Sequence, residues 1–130
     1  MPDFPCRLNA RISAMNTPAL VGIDPRWDLL PAEIQATAQS RSASRGERDA
    51  WAFESFSKQL IDIISPLVPA IKPQVAFFEQ LGVPGFRALH SVMDYARRAG
   101  LIVIADAKRG DIGSTAEAYA EAWLAGEDPN

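Results

Sequence analysis

Two acidic and two basic side chains lie within the six residues from Asp106 to Asp111. They follow the apolar run 101–104 directly, and a short continuous apolar run is typical of a strand buried in a parallel sheet. Parallel α/β folds carry their chemistry where strands end. In an extended segment Asp106 and Lys108 point the same way, whereas Asp111 follows Gly110 on a turn. The spacing predicts an array of acid, ammonium and acid at a strand end.

Two earlier apolar runs also end in charged residues. Residues 19–23 are followed by Asp24, and residues 68–71 are followed by Lys72. With a third strand over residues 101–105, the chain has three predicted strands, each with a polar side chain at its carboxyl end. The carboxyl ends of parallel strands meet at one edge of a sheet. We therefore expect Asp24, Lys72, Asp106 and Lys108 to lie at the same edge.

Helical patterns separate the strands. The spacing of apolar residues predicts helices over Phe4–Met15, 32–38, 45–65, 82–100 and 116–124. Ser44 with Glu47, and Ser114 with Glu117, have the spacing of capping boxes. The first helix is expected to cover the bottom of the fold. Two stripes are predicted to be core: Phe56, Leu60, Ile63 and Ile64 in one helix, and Phe86, Leu89, Met93 and Ala96 in another.

A helix followed by three strand-helix units predicts a parallel sheet with helical crossovers. Three parallel strands cannot close a barrel, and units of roughly 35 to 45 residues would need about eight repeats to do so. We therefore interpret residues 1–130 as one α/β domain that forms the first part of a (β/α)8 TIM barrel.

Composition excludes several classes of function. The 130 residues carry a formal charge of −3 and no basic block, which disfavours a nucleic acid or an anionic membrane as partner. The one cysteine, Cys6, cannot form an internal disulfide, and no Cys/His cluster predicts a metal site. The sequence predicts neither a signal peptide nor a membrane span. A cytoplasmic protein without a metal or cofactor is expected.

Residues 106–112 match the Asp-x-Lys-x-x-Asp-Ile signature of the orotidine 5'-phosphate decarboxylase family. Residues 21–26 and 71–79 resemble the first and second strand ends of that family. The Lys-Pro-Gln sequence at residues 72–74 resembles its longer bacterial subgroup. The resemblance runs from about residue 4 to residue 125. It implies the amino-terminal portion of a TIM barrel that converts orotidine 5'-phosphate to uridine 5'-phosphate, the last step of de novo pyrimidine biosynthesis.

The resemblance also implies roles for individual residues. Asp24 would bind a ribose hydroxyl, and Lys72 would contact the ribose and hold Asp106. Asp106 and Lys108 would face the scissile carboxylate and C6 of orotate. The residues matching Asp111, Ile112 and Thr115 reach the site of the neighbouring subunit, which implies a homodimer with a shared active site. The residues that bind phosphate in this family follow strands seven and eight, and none is recognised here.

The chemistry of decarboxylation explains these residue types without reference to the family. Loss of carbon dioxide from C6 leaves a carbanion that lacks an adjacent electron sink, so the protein must stabilise charge and supply a proton. Lys108 can do both, because flanking carboxylates keep an ammonium protonated. Lys108 is therefore the expected general acid. Asp106 beside the substrate carboxylate would place like charges together, a tension that departure of carbon dioxide relieves.

Other readings remain open at this point. Related sugar-phosphate decarboxylases and synthases carry the same signature but use magnesium, and they place a carboxylate where this chain has Lys72. A truncated barrel without activity, acting as an interaction piece, is a further alternative. Isolated charges after strands are most often solvated loops. On this view Arg26 and Arg109 are loop charges or structural pairs, Ser114 is a helix cap, and His90 is a surface residue without an acidic partner nearby in sequence.

Overall fold

Six helices accompany the sheet in the part of the chain that is described. The computed structural model covers residues 3–41 and 43–122. The helices are α1 (Phe4–Met15), α2 (Ala32–Gln39), α3 (Arg45–Ile64), α4 (Val75–Glu79), α5 (Gly82–Arg98) and α6 (Gly113–Ala120), with a short 3-10 turn at Trp27–Leu29. Within these residues no helix is long and apolar enough to cross a membrane.

Three parallel strands form the sheet of the described residues, in the spatial order β1, β2, β3. They are β1 (Leu20–Ile23), β2 (Ala70–Pro73) and β3 (Ile102–Val103). The register places Gly22 opposite Lys72, and Ala70 opposite Ile102. The predicted parallel sheet with helical crossovers is confirmed. All three carboxyl ends therefore lie at one edge, as the sequence indicates.

The two faces of the sheet have different surroundings. Ile23 and Ile71 are fully buried among the side chains of the helices, and Val21 and Val103 pack against the same core. Alternation along a strand places their neighbours on the opposite face. That face carries Gly22, Lys72 and Leu20, and Leu20 is 44% exposed. The helices thus cover one side of the sheet, whereas on the other side Ala70 is buried but Leu20, Gly22 and Lys72 remain at least partly exposed.

The long helix α3 starts at the predicted capping box. The Ser44 hydroxyl accepts a hydrogen bond from the Glu47 backbone N–H, and the Glu47 carboxylate accepts one from the Ser44 N–H. The predicted core stripe of this helix is wrong at Ile63, which is 65% exposed, whereas Ile64 is buried. The face that is buried runs through Phe53, whose ring meets that of Phe78 edge to face at 6.1 Å between centroids.

The predicted core stripe of helix α5 is wrong at one residue, Phe86, whereas Met93 packs against the core. Leu89 and Ala96 are buried as expected, but Phe86 is 41% exposed. The stripe begins instead at Gly85, where an added Cβ would overlap the carbonyl oxygen of Phe78. Because α4 and α5 approach each other so closely there, the larger Phe86 side chain turns outward. The size of the residue at the crossing point therefore decides which face of α5 is buried. The spacing of apolar residues in the sequence does not report this.

Several predicted boundaries shift in the structure. The second strand begins at Ala70 rather than Val68, so Lys72 lies within β2, one residue before its end. The regular part of β3 is only Ile102–Val103, shorter than residues 101–105, although backbone hydrogen bonds to β2 continue to Asp106. Helix α4 was not predicted, because a five-residue apolar helix cannot be told from a strand by periodicity.

Helix α6 begins earlier than predicted, at Gly113 rather than Ala116. Ile112 is the residue before the helix and makes no side-chain cap, so the predicted capping box of Ser114 with Glu117 is wrong. Ser114 lies inside the first turn instead, where its hydroxyl is past the capping position. The predicted end of this helix at residue 124 falls outside the described residues.

Helix α1 has the predicted bounds. The Asp3 carboxylate accepts a hydrogen bond from the Cys6 N–H, and Asn16 ends the helix in the left-handed conformation at φ 53°. Every residue of α1 keeps part of its surface exposed. The helix contacts β3, and the Arg11 guanidinium lies beside Gly100 at the amino end of that strand. This position agrees with a helix at the bottom of the sheet.

Candidate active site

The backbone fixes Asp106 at the end of the sheet. Its N–H donates to the Pro73 carbonyl at 3.1 Å, and its own carbonyl accepts from the Val75 N–H at 3.0 Å. Asp106 therefore pairs with Gln74 on the neighbouring strand, just beyond the regular part of β3. With both of its backbone groups bonded, the residue has little freedom to move.

Both carboxylate oxygens of Asp106 contact ammonium groups. Oδ2 accepts from Lys72 Nζ at 2.9 Å, and Oδ1 accepts from Lys108 Nζ. The Asp106 side chain is only 12% exposed, so little water competes for these oxygens. The hydrogen bond from Lys108, followed by the one from Lys72, lowers the pKa of Asp106 below its ordinary value. Asp106 therefore carries its negative charge at neutral pH and lies between two cations.

Lys108 also reaches a second carboxylate. Its Nζ lies 3.6 Å from Asp111 Oδ2, across the turn that contains Gly110. The hydrogen bond to Asp106 raises the pKa of Lys108, and the negative charge of Asp111 adds to this effect. The predicted array of acid, ammonium and acid is thus present within one chain. It presents a protonated amine that can donate at the open face of the sheet.

Asp24 lies at the same edge, after β1. A Cβ on Gly22 would stand 3.7 Å from Asp24 Oδ1, so this carboxylate folds back over the face on which Gly22 neighbours Lys72. Asp24 is exposed and joins none of the ion pairs among the described residues. It remains available to accept hydrogen bonds from a ligand.

Ile112 and Thr115 lie outside the charged array. Ile112 is 85% exposed, and its N–H donates to Asp111 Oδ1 at 3.0 Å. Thr115 is half-buried in the first turn of α6. Their part in a neighbouring subunit's site stays a prediction. The exposure of so large an apolar side chain beside Asp111 is compatible with it.

Arg109 forms a structural pair, one of the two roles predicted for it. Its guanidinium contacts both carboxylate oxygens of Glu79, with Nε at 3.3 Å from Oε2. The sequence reading gave Glu79 no role. The sequence did contain a signal for this pair. Glu79 directly follows the apolar run 75–78, and an acidic side chain that is buried with such a run requires a cation as partner. Arg26 is a loop charge that lies 6.0 Å from the centre of the Phe77 ring.

Tyr119 links helix α6 to the strand ends, a second contact that sequence reasoning missed. Its hydroxyl donates to Gln74 Oε1 at 3.3 Å and lies 3.5 Å from the Asp106 carbonyl oxygen. The Gln74 side chain also accepts from the Ala76 N–H. These groups are buried, so the network holds α6 beneath the charged array.

His90 is a surface residue, as predicted, with a side chain that is 73% exposed. The expectation that it lacks an acidic neighbour is wrong, because its Nδ1 lies 3.8 Å from Asp94 Oδ2 one helical turn away. In the described part of the chain, no cluster of three or more histidine, cysteine or acidic side chains has the arrangement of a metal site.

Curated relatives align with all or nearly all of this chain. A protein named orotidine 5'-phosphate decarboxylase from Rhodopirellula baltica is 45% identical over 130 residues, which are all of this chain and 42% of the relative. A protein of the same name from Nocardioides is 41% identical, over 95% of this chain and 41% of its own length. The chain thus spans about two fifths of the length of the curated relatives it matches.

Solved structures agree with this similarity. A Toxoplasma gondii protein assigned as an orotidine-monophosphate decarboxylase superposes with a TM-score of 0.64 at 35% identity, over 94% of this chain and 37% of its own. A Streptomyces avermitilis protein assigned as an orotidine 5'-phosphate decarboxylase gives 0.62 at 36% identity, over 99% and 41%. These neighbours are TIM barrels, and this chain matches part of the barrel.

The family model described as "Orotidine 5'-phosphate decarboxylase / HUMPS family" matches residues 22–127. That range contains the last two residues of β1, all of β2 and β3, and the residues near their carboxyl ends: Asp24, Lys72, Asp106, Lys108 and Asp111. The resemblance inferred from residues 106–112 is thereby confirmed. The chain belongs to the orotidine 5'-phosphate decarboxylase / HUMPS family and supplies the first three β/α units of its TIM barrel.

Proposed function

We propose that this chain supplies the catalytic strand ends of an orotidine 5'-phosphate decarboxylase, which forms uridine 5'-phosphate without a cofactor. The observation that carries the proposal is the contact of Lys108 with both Asp106 and Asp111, beside Lys72. A protonated amine held between two carboxylates at an open sheet edge suits protonation of a carbanion. The names of the curated relatives support this substrate.

These side chains and solvent account for every bond broken and every proton transferred in the reaction. The bond between C6 and the carboxylate carbon breaks, carbon dioxide leaves, and the electron pair stays on C6. Lys108 then transfers an N–H proton to C6, and its neutral amine takes a proton from solvent. Asp106 lies next to Lys108 and repels the substrate carboxylate until it departs, while Lys72 holds Asp106 in place. Asp24 accepts a hydrogen bond from the ribose.

The proposal includes a homodimer in the cytoplasm, with Asp111, Ile112 and Thr115 contributing to the partner's site. Ile112 and the turn at Gly110 both lie at the surface, where this segment can reach a second subunit. Their exposure therefore supports a contribution of the segment to the partner's site. In this chain Asp111 lies 3.6 Å from its own Lys108.

A magnesium-dependent reaction on a sugar phosphate is the second candidate, because the family model covers both classes. The ion pairs favour the decarboxylase. Each oxygen of Asp106 already accepts a hydrogen bond from an ammonium, and a divalent cation would have to displace Lys72 or Lys108. We therefore expect turnover of orotidine 5'-phosphate to persist in the presence of a chelator.

The test uses the 130-residue chain and a chimera. In the chimera, this chain replaces the matched 42% of the Rhodopirellula baltica relative, which then supplies the rest of the barrel. Uridine 5'-phosphate is followed by chromatography after addition of orotidine 5'-phosphate. We expect turnover in the chimera and a loss of at least about 10³-fold in its Lys108→Ala variant. A chimera that folds without turnover, or a Lys108→Ala variant with near-normal turnover, would contradict the proposal.

Lys58→Ala is the matched control. Lys58 also pairs with a carboxylate, that of Glu54 one turn away at 2.6 Å, but it lies on α3 at a distance from the strand ends. Its removal is expected to leave turnover within about twofold, because surface ion pairs contribute little. If the chimera is active and the 130-residue chain alone is not, the chain needs the rest of the barrel for turnover.

A further inference from the structure

The carboxylate of Glu79 is completely buried at the end of α4, yet it faces a cation from the segment that carries Lys108. Its side chain is 0% exposed, whereas that of Arg109 is 50% exposed. Two hydrogen bonds join them, one to each carboxylate oxygen. We call these two hydrogen bonds from one guanidinium to one carboxylate the fork. Such a pair of bonds fixes both the position and the orientation of the guanidinium.

Arg109 also has an unusual backbone. Its φ is 59°, in the left-handed region that residues with a side chain rarely adopt. An arginine remains there only where surrounding contacts hold it. The fork with Glu79 is such a contact. It connects the bent backbone at Arg109, between Lys108 and Asp111, to the buried end of α4.

The two ion pairs that join the 106–111 segment to the rest of the described chain both use partners from one stretch, residues 72–79. Lys72, in β2, holds the carboxylate of Asp106 at 2.9 Å. Seven residues later, Glu79 holds Arg109. The segment is therefore attached at two points to residues 72–79, once before Lys108 and once after it. Attachment on both sides limits the movement of the ammonium relative to Asp106 and Asp111.

We propose that Glu79 and Arg109 are positioning residues that set the location of Lys108 between its two carboxylates. Neither touches the reacting atoms. They act through the backbone that follows Lys108, because Arg109 combines a left-handed backbone with a side chain that reaches the buried Glu79. The catalytic consequence rests on the proposed decarboxylase function, but the placement of Lys108 can be measured without turnover.

The experiment is competitive acetylation of the full 130-residue chain. The chain has three lysines, Lys58, Lys72 and Lys108, so trace labelling with acetic anhydride and mass spectrometry gives the ratio of Lys108 to Lys58 within one sample. In the wild type, two carboxylates shield Lys108 and keep it protonated. In Arg109→Ala we expect this ratio to rise about threefold or more, because the amine leaves its carboxylates. Glu79→Gln should give the same result with little change in volume.

Two further variants complete the test. Arg109→Lys keeps the charge but loses the fork, and is expected to restore only part of the shielding. Arg97→Ala removes a comparable but exposed pair, with Asp94 on α5, and should leave the ratio unchanged. A rise confined to Lys108 supports the positioning role. No change in Arg109→Ala and Glu79→Gln overturns it, and so does an equal rise at all three lysines, which would make the pair a determinant of the whole fold.

The chimera separates this inference from the proposed function. If it is active, Arg109→Ala should lower kcat about tenfold or more while KM changes little, and Arg109→Lys should recover part of the loss. An unchanged kcat in an active chimera would contradict the catalytic consequence. If the chimera is inactive, the proposed function fails, and the acetylation ratio still decides whether the pair positions Lys108.

Discussion

Lys72 Nζ lies 2.9 Å from Asp106 Oδ2, in a hydrogen bond between residues 34 positions apart in the chain. The register of the sheet creates this contact, because Gln74 pairs with Asp106 and so brings the ends of two strands together. The same carboxylate holds Lys108 through its other oxygen. One largely buried carboxylate therefore holds two ammonium groups.

Replacing Lys72 by Met keeps the length of the side chain but removes the ammonium from Asp106. Without it, the pKa of Asp106 should rise toward its ordinary value, because one of its two hydrogen-bond donors is gone. In the chimera we expect kcat/KM to fall about 10²-fold or more. Steady-state kinetics with orotidine 5'-phosphate measure this change. Lys58→Met is the control, and equal activity of the two variants would contradict a role for Lys72.

Mixing two inactive variants tests whether the site is shared between subunits. If Asp111 serves the partner's Lys108, a mixture of Lys108→Ala and Asp111→Ala chimeras regains activity in mixed dimers, because one of their two sites is intact. Random exchange of subunits then restores about a quarter of wild-type activity. If Asp111 serves its own Lys108, as the 3.6 Å contact within this chain allows, mixing restores nothing. Each variant kept alone under the same conditions is the control.

The ion pairs should make stability depend on pH in a defined way. The pKa of Asp106 is lowered below 3.8, so its contribution is complete above that pH and is lost as the pH falls through the folded-state pKa. The pKa of Lys108 is raised above 10.5, so its contribution is complete below that pH and is lost as the pH rises through the folded-state pKa. Between these limits the array stabilises the fold.

Urea unfolding of the wild type and of Asp106→Asn checks this dependence. The difference between their free energies of unfolding should be constant near neutral pH and should shrink below pH 3.8, where Asp106 in the unfolded chain is protonated. A difference that stays the same well below this pH would show that the charge of Asp106 does not stabilise the fold.

Gly85→Ala should destabilise the chain because the new methyl group would overlap the Phe78 carbonyl and lie 2.9 Å from Leu81 Cβ. Backbone atoms cannot move aside as a flexible side chain can. We therefore expect the free energy of unfolding to fall by about 1–3 kcal/mol. Thermal or urea unfolding measures it. Gly110→Ala is the matched control, since nothing lies within 4 Å of its added Cβ. Similar effects of both substitutions would contradict the close approach of α4 and α5.

Ser44→Ala should cost about 1 kcal/mol in the free energy of unfolding, because it removes the acceptor for the Glu47 N–H at the start of α3. Ser55→Ala, within the same helix, should be neutral or slightly stabilising, since alanine is the better helix former. Circular dichroism during urea unfolding compares the two. An equal loss in both variants would show that the cap contributes nothing specific.

The amino-acid sequence by itself determined the parallel sheet, the main helices and the residues of the charged array. The physical reason is that the strands, the helices and the spacing of the charges are each marked by local patterns, and the alternation of strands with helices predicts a parallel sheet. Apolar periodicity marks α3 and α5, the Ser44 capping box marks where α3 starts, and the spacing of Asp106, Lys108 and Asp111 places them on one strand end and its turn. Such signals need no knowledge of distant neighbours.

Only the tertiary structure decided which partners meet and which faces are buried. The pairing of Lys72 with Asp106 depends on strand register, and the pairing of Glu79 with Arg109 depends on the position of a short helix that periodicity could not identify. Ile63 and Phe86 fit apolar stripes but are exposed, because the crossing of α4 and α5 at Gly85 and the packing of α3 set the buried faces. These are contacts between residues far apart in the chain, and local patterns carry no information about them.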